Sequence, residues 1–126
     1  MRLLLDTHVF LWYVADSREL SERTREIIAK ADEVFVSAAS IWEAAIKVGL
    51  GKLEAPLADL VSGISASGFQ ELPVICRHAI LVASLPQVHR DPFDRLLIAQ
   101  AIDGPLKLLT ADPVFREYTE LAELVF

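Results

Sequence analysis

Four carboxylates lie far apart along the chain but at one kind of place. Asp6 directly follows the apolar run Leu3–Leu5, and Asp112 follows Leu106–Leu109. Glu43 falls in the first turn expected of the helix after Val34–Val36, and Asp94 in the first turn of a helix opened by Pro92. In a parallel α/β sheet the strand C-termini and the helix N-termini that follow them share one edge, where ligands bind. The four acids therefore converge, provided the helix at Pro92 starts on that same edge. Gathered carboxylates repel one another unless a cation offsets their charge. Hard oxygen donors, in a chain with a single cysteine and few histidines, favour Mg²⁺ or Mn²⁺ over zinc. An ion held this way can activate water and neutralise charge on a phosphodiester oxygen. Thr110 adds a hydroxyl beside Asp112 that could orient a ligand, or bond its own backbone at a strand end.

Each acid also has a local structural reading. Ser40-x-x-Glu43 matches a capping box, and Glu43 with Lys47 makes a favourable i,i+4 pair. Asp91-Pro92-Phe93-Asp94 has the form of an N-cap, a first-turn proline and an acid that complements the helix dipole. Asp112-Pro113 repeats the cap and proline, and Asp6 could cap the helix after it. These readings must be invoked four separate times, whereas one shared site accounts for the set. His8, His78 and His89 have no close metal-binding spacing, which argues against a histidine-based zinc centre. His89-Arg90 could meet a phosphate or simply lie in a surface loop. Lys47, Lys52 and Arg90 are the candidate contacts to a nucleic-acid backbone. Trp12 and Tyr13 read as core or subunit interface, and Trp42 as packing rather than a base-stacking platform.

The elements needed to position these residues are legible in the pattern. Strands are expected at Leu3–Leu5, Val34–Val36, Phe69–Val74, Leu106–Leu109 and, at an edge, Glu123–Phe126. Helices are expected over Val9–Val14, from Ser21 to about Ala31, from about Ser40 to Val48, from Pro56 through Ile64, over Arg77–Leu85, from Pro92 to about Ile102, and briefly after Asp112-Pro113. Gly49 and Gly51 stop the helix that carries Glu43, because glycine takes up the left-handed conformation that helix ends often need. Alternating strands and helices argue for an α/β fold with a mainly parallel sheet.

Composition bounds the rest. The chain has 126 residues, 53% of them hydrophobic and 24% charged, which suits one folded domain over residues 1–126 and excludes extended disorder. The longest unbroken apolar run, Val9 to Ala15, is far short of the roughly 18 residues of a membrane span. Asp6 and His8 interrupt the only candidate signal segment, so the chain reads as cytoplasmic with no membrane association. Cys76 stands alone and can form no internal disulfide. The formal charge of −6 argues against broad, sequence-independent binding to nucleic acid. That argument weakens if part of the acidic excess serves a metal site.

The segments LLLDTHVFLW, VSAASIWEAAIKVGLGKL, LPQVHRDPFDRLLIAQA and LLTAD, in this order and spacing, resemble the PIN-domain toxins of the VapC family from about Leu3 to Tyr118. The resemblance implies a three-layer α/β/α fold with a parallel sheet. It also implies an Mg²⁺- or Mn²⁺-dependent endoribonuclease whose acidic cluster maps onto Asp6, Glu43, Asp94 and Asp112, with Thr110 as the accompanying hydroxyl. Such proteins usually form homodimers and are neutralised by a VapB-type antitoxin, whose extended segment covers the groove. The expectation is thus a toxin that cleaves RNA, tRNA or rRNA above all. One alternative is a non-catalytic module that binds a cation or a basic peptide through its acids. Another is an aspartate-based phosphotransfer enzyme, disfavoured because position 8 is His where haloacid-dehalogenase-like phosphatases need a second Asp.

Overall fold

The structure is a computed structural model and describes residues 1–125. Five strands, β1 (Arg2–Leu5), β2 (Glu33–Ser37), β3 (Gln70–Leu72), β4 (Lys107–Thr110) and β5 (Ala122–Leu124), form one sheet in the order β3-β2-β1-β4-β5. Every pairing in it is parallel. The helices are α1 (Thr7–Val14), α2 (Glu22–Lys30), α3 (Ala38–Gly49), α4 (Leu57–Ala66), α5 (Cys76–Val82) and α6 (Pro92–Asp103), with a 3₁₀ helix over Pro113–Glu117.

Strand periodicity explains the layering. Leu3, Leu5, Val34, Val36 and Leu109 face one way, into a core shared with Val9, Phe10, Ile28, Ala44, Leu60 and Ile64 of α1 to α4. Leu4, Phe35 and Leu108 face the other way, against Leu97, Ile98 and Ala101 of α6 and Phe115 of the 3₁₀ helix. A sheet covered on both faces needs apolar side chains on both, hence strands that are apolar throughout rather than alternating. From β1 the chain winds outward through β2 to β3, then returns through α5 and α6 to β4. Right-handed crossovers that run in opposite directions put their helices on opposite faces. The direction changes between β1 and β4, which leaves a crevice at the C-terminal ends of those two strands.

Several boundaries depart from the sequence pattern. The helix carrying Glu43 begins at Ala38, because the Ser37 hydroxyl, at the end of β2, accepts the Ala39 N–H at 3.0 Å and caps it there. The Ser40/Glu43 capping box therefore does not form; Ser40 lies inside α3 and accepts a hydrogen bond of 2.8 Å from the Thr7 hydroxyl. Glu43 consequently sits beyond the first turn. Helix α5 is shorter than expected, and the segment opened by Asp112-Pro113 is a 3₁₀ rather than an α-helix. Strand β3 covers only Gln70–Leu72, and the last strand runs over Ala122–Leu124. Phe126, expected in that strand, lies outside the described residues. Among the described residues no helix is long and apolar enough to cross a membrane.

Replacing Ser37 by Ala should cost about 1 kcal/mol of stability in urea unfolding, the usual worth of an N-cap. An unchanged midpoint would mean that Ser37 does not set the start of α3.

Candidate active site

The crevice between β1 and β4 holds the first carboxylate. Asp6 N–H continues the ladder to Leu109 O at 2.9 Å, so the residue is locked at the end of the central strand. Its side chain is only 4% exposed. Thr110, fully buried at the end of β4, donates its hydroxyl proton to Asp6 Oδ2 at 2.8 Å and accepts the Asp112 N–H at 3.0 Å. One threonine thus ties the two strand ends together. Asp112 Oδ1 in turn accepts the Val114 N–H at 3.0 Å and caps the 3₁₀ helix. Asp6 and Asp112 line one cleft of about 340 Å³ with His8, Trp12 and Pro113.

Glu43 and Asp94 approach from the two helical layers. Glu43, from α3, is almost buried; its Oε2 pairs with Lys47 Nζ at 3.1 Å, while its buried Oε1 has no hydrogen-bond partner. Asp94 lies in the first turn of α6, where the Asp91 carboxylate caps the helix by accepting the Asp94 N–H at 2.9 Å. Asp94 Oδ2 meets His89 Nε2 at 3.0 Å. The charge of Asp6 reaches Asp94, so the helix opened by Pro92 starts near the C-terminal end of β1.

Electrostatics show that these groups sense one another. Burial raises the pKa of Asp6 above the ordinary carboxylate value. The Thr110 hydrogen bond and the charge of His8 oppose that rise, and the charge of Glu43 adds to it. Burial also pushes Asp94 up to about 6; the His89 hydrogen bond pulls it down, and the charges of Asp91 and Asp6 push it further up. His89 is raised because its hydrogen bonds to Tyr118 and Asp94 outweigh the effect of burial.

As placed, each acid is held by its own local partner. Among the described residues no three Asp, Glu, His or Cys side chains stand close enough to form a ready-made cage for one ion. Mg²⁺ does not need such a cage, since it keeps several of its waters and takes one or two carboxylates. Glu43 Oε1, buried and without a hydrogen-bond partner, is an oxygen that a hard cation would satisfy. The donor set, all oxygen, fits such an ion.

The other candidates are distributed unevenly. Lys47 is committed to Glu43, whereas Lys52 and Arg90 are exposed. Trp42 is not core packing: it is 60% exposed and meets Phe93 edge-on at 4.9 Å. Trp12 is half-buried and packs on the core. Sequence reasoning missed the role of His89 and gave no role to Tyr118 or Arg95. His89 adjoins the Arg90-Asp91-Pro92 run and so had a local signal; the other two had none.

A parallel sheet with acids at its switch point defines a class of carboxylate-lined α/β/α proteins. Comparison with known sequences is more specific. The PIN domain pattern matches residues 3–121. The chain is 31% identical over 123 residues to Ribonuclease VapC22 of Mycobacterium tuberculosis, covering 92% of this chain and 91% of that protein. It therefore belongs to the PIN-domain family, among the VapC proteins. Solved structures share the fold. A chain of VapBC2 from Rickettsia felis, bound to a DNA fragment from its promoter, superposes with a TM-score of 0.72 at 16% identity, covering 99% of this chain and 98% of that one. A chain of DNA-bound VapBC from Salmonella typhimurium gives 0.68 at 18% identity, covering 99% and 97%.

A raised carboxylate makes a signed prediction for the metal-free chain. Folded Asp94 binds its proton more tightly than unfolded Asp94, so its stabilising contribution is full below the ordinary value of 3.8 and is lost as pH rises through about 6. With EDTA present, the wild-type urea midpoint should fall relative to Asp94→Asn between pH about 4 and about 6 and level off above that. Parallel curves for the two proteins would refute the raised pKa.

Proposed function

We propose that this chain is a divalent-metal-dependent endoribonuclease that acts in the cytoplasm as the toxin of a toxin–antitoxin pair, with residues 1–126 forming a single domain. The observation that carries the reading is the buried Glu43 Oε1, which has no hydrogen-bond partner, in a site where the charge of Glu43 bears on Asp6 and that of Asp6 on Asp94. Kinship to a protein named as a ribonuclease, along nearly the whole chain, supports it.

In this reading Asp6, Glu43 and Asp94 hold Mg²⁺ or Mn²⁺, and Asp112 completes the cluster. The cation supplies Lewis acidity at the scissile phosphate and lowers the pKa of the attacking water. Thr110 fixes the Asp6 carboxylate by donating to one oxygen, which leaves the other for the ion. Lys47 neutralises Glu43 until the ion arrives. Lys52 and Arg90, exposed on the surface, contact the RNA backbone. In-line attack by water expels the 3′-oxygen and leaves 5′-phosphate and 3′-hydroxyl ends, with no role for the 2′-hydroxyl as nucleophile. The substrate class is tRNA or rRNA.

Two partners complete the proposal. A VapB-type antitoxin covers the cleft; chains from VapBC complexes share this fold. A second copy of the chain packs on the face of α3 that exposes Trp42, Ile46 and Leu50, one turn apart. This replaces the Trp12 helix as the dimer face, because Trp12 is engaged with the core. Ile46→Asp combined with Leu50→Asp should convert a dimer to a monomer in light scattering at micromolar concentration. A wild-type monomer would remove this part of the proposal.

Cleavage of total tRNA and rRNA by antitoxin-free protein tests the activity. Discrete fragments should form with Mg²⁺ or Mn²⁺, vanish with EDTA, and be absent with Asp6→Asn or Asp94→Asn, both of which should fold normally. Cyclic 2′,3′-phosphate ends formed in EDTA would overturn the mechanism. Metal binding without hydrolysis of any RNA would favour a non-catalytic cation-binding module.

A further inference from the structure

One polar chain reaches Asp94 from behind and is not needed for the activity as stated above. Arg95, nearly buried in α6, donates to Val82 O at 3.2 Å and Pro86 O at 2.8 Å, which fixes its guanidinium against the end of α5 and the segment after it. The same guanidinium donates to the Tyr118 phenol oxygen at 3.2 Å. That oxygen also accepts the His89 N–H at 3.0 Å and lies 2.7 Å from His89 Nδ1. Two donors already point at the phenol oxygen, so its single proton is directed outward. It is donated to His89 O at 3.2 Å. The two ring nitrogens of His89 are thus engaged on opposite sides, Nδ1 with the phenol oxygen at 2.7 Å and Nε2 with Asp94 Oδ2 at 3.0 Å.

We propose that His89 and Tyr118 are positioning residues that hold Oδ2 of Asp94 and thereby reserve its other oxygen for the cation. The proposal rests on the reading of Asp94 as a metal ligand. A ligating carboxylate free to rotate offers either oxygen and loses orientational entropy when it binds. A carboxylate with Oδ2 already held presents Oδ1 in one direction. Outer partners of this kind commonly contribute 10- to 100-fold to metal affinity. The relay also explains why the 3₁₀ helix lies where it does. Asp112 caps its start at the cleft, and Tyr118, at its other end, returns to Asp94 through His89.

The test measures Mn²⁺ affinity by electron paramagnetic resonance, with no RNA present. His89→Gln places an amide N–H where Nε2 stood and should bind Mn²⁺ close to wild type. His89→Asn places its amide where Nδ1 stood, leaves Asp94 unheld, and should weaken binding about tenfold, as should Tyr118→Phe. Equal losses for Gln and Asn, or wild-type affinity in both the Asn and Phe variants, would each overturn the relay. Asp94→Asn separates the two levels. If it abolishes Mn²⁺ binding while the Asn and Phe variants do not weaken it, only the relay falls. If Asp94→Asn leaves affinity unchanged, the metal-site reading falls and the relay with it.

Discussion

Everything in the site depends on one buried carboxylate at the end of the central strand. Asp6 is held by a backbone hydrogen bond to β4 and by the Thr110 hydroxyl, and is almost wholly shut off from solvent. Burial disfavours its charged form, and Glu43 makes that worse. A fold that keeps an acid in this state has placed a local cost at its centre. The covered sheet supplies the stability that offsets it, through apolar side chains on both faces of every inner strand.

The surroundings of the cleft respond to that cost in graded steps. Lys47 neutralises Glu43 along one helix, His89 pairs with Asp94 across a loop, and Asp112 spends one oxygen on the 3₁₀ helix. Each acid thus has a partner of its own, and the four remain apart. Local partners that can yield are compatible with a cation that arrives later. A fully satisfied network would leave no group seeking a ligand, and the buried Glu43 Oε1 is such a group. The local structural readings and the shared-site reading are therefore not exclusive. Asp91 and Asp112 do act as caps, and Glu43 does pair with Lys47, while the charge of Glu43 still bears on Asp6 and that of Asp6 on Asp94.

Much of this was legible without coordinates, for definite physical reasons. Apolar runs such as Leu3–Leu5 and Leu106–Leu109 read as buried parallel strands because burial on both faces removes alternation. The proline after Asp91 marked a helix start because proline fits the first turn. From those elements and the edge rule for parallel sheets, Asp6 and Thr110 meet at the ends of β1 and β4, with Asp112 just beyond. The sequence by itself determined which acids stand at strand ends and helix starts, because that placement depends on local pattern and chain direction.

Tertiary structure decided what no local pattern encodes. Helix α3 starts at Ala38 because Ser37 caps it, while Ser40, the apparent cap, is drawn to Thr7. Either serine satisfies local capping rules, and only the length of β2 selects between them. Trp42 looks like core but lies exposed, since the buried side of α3 is set by what α1, α4 and α6 present to it. His89, Tyr118 and Arg95 meet only after α5, α6 and the 3₁₀ helix have packed. Hydrogen bonds between residues so distant in sequence form where packing brings their atoms together, and the linear order of the chain carries no local signal of that meeting.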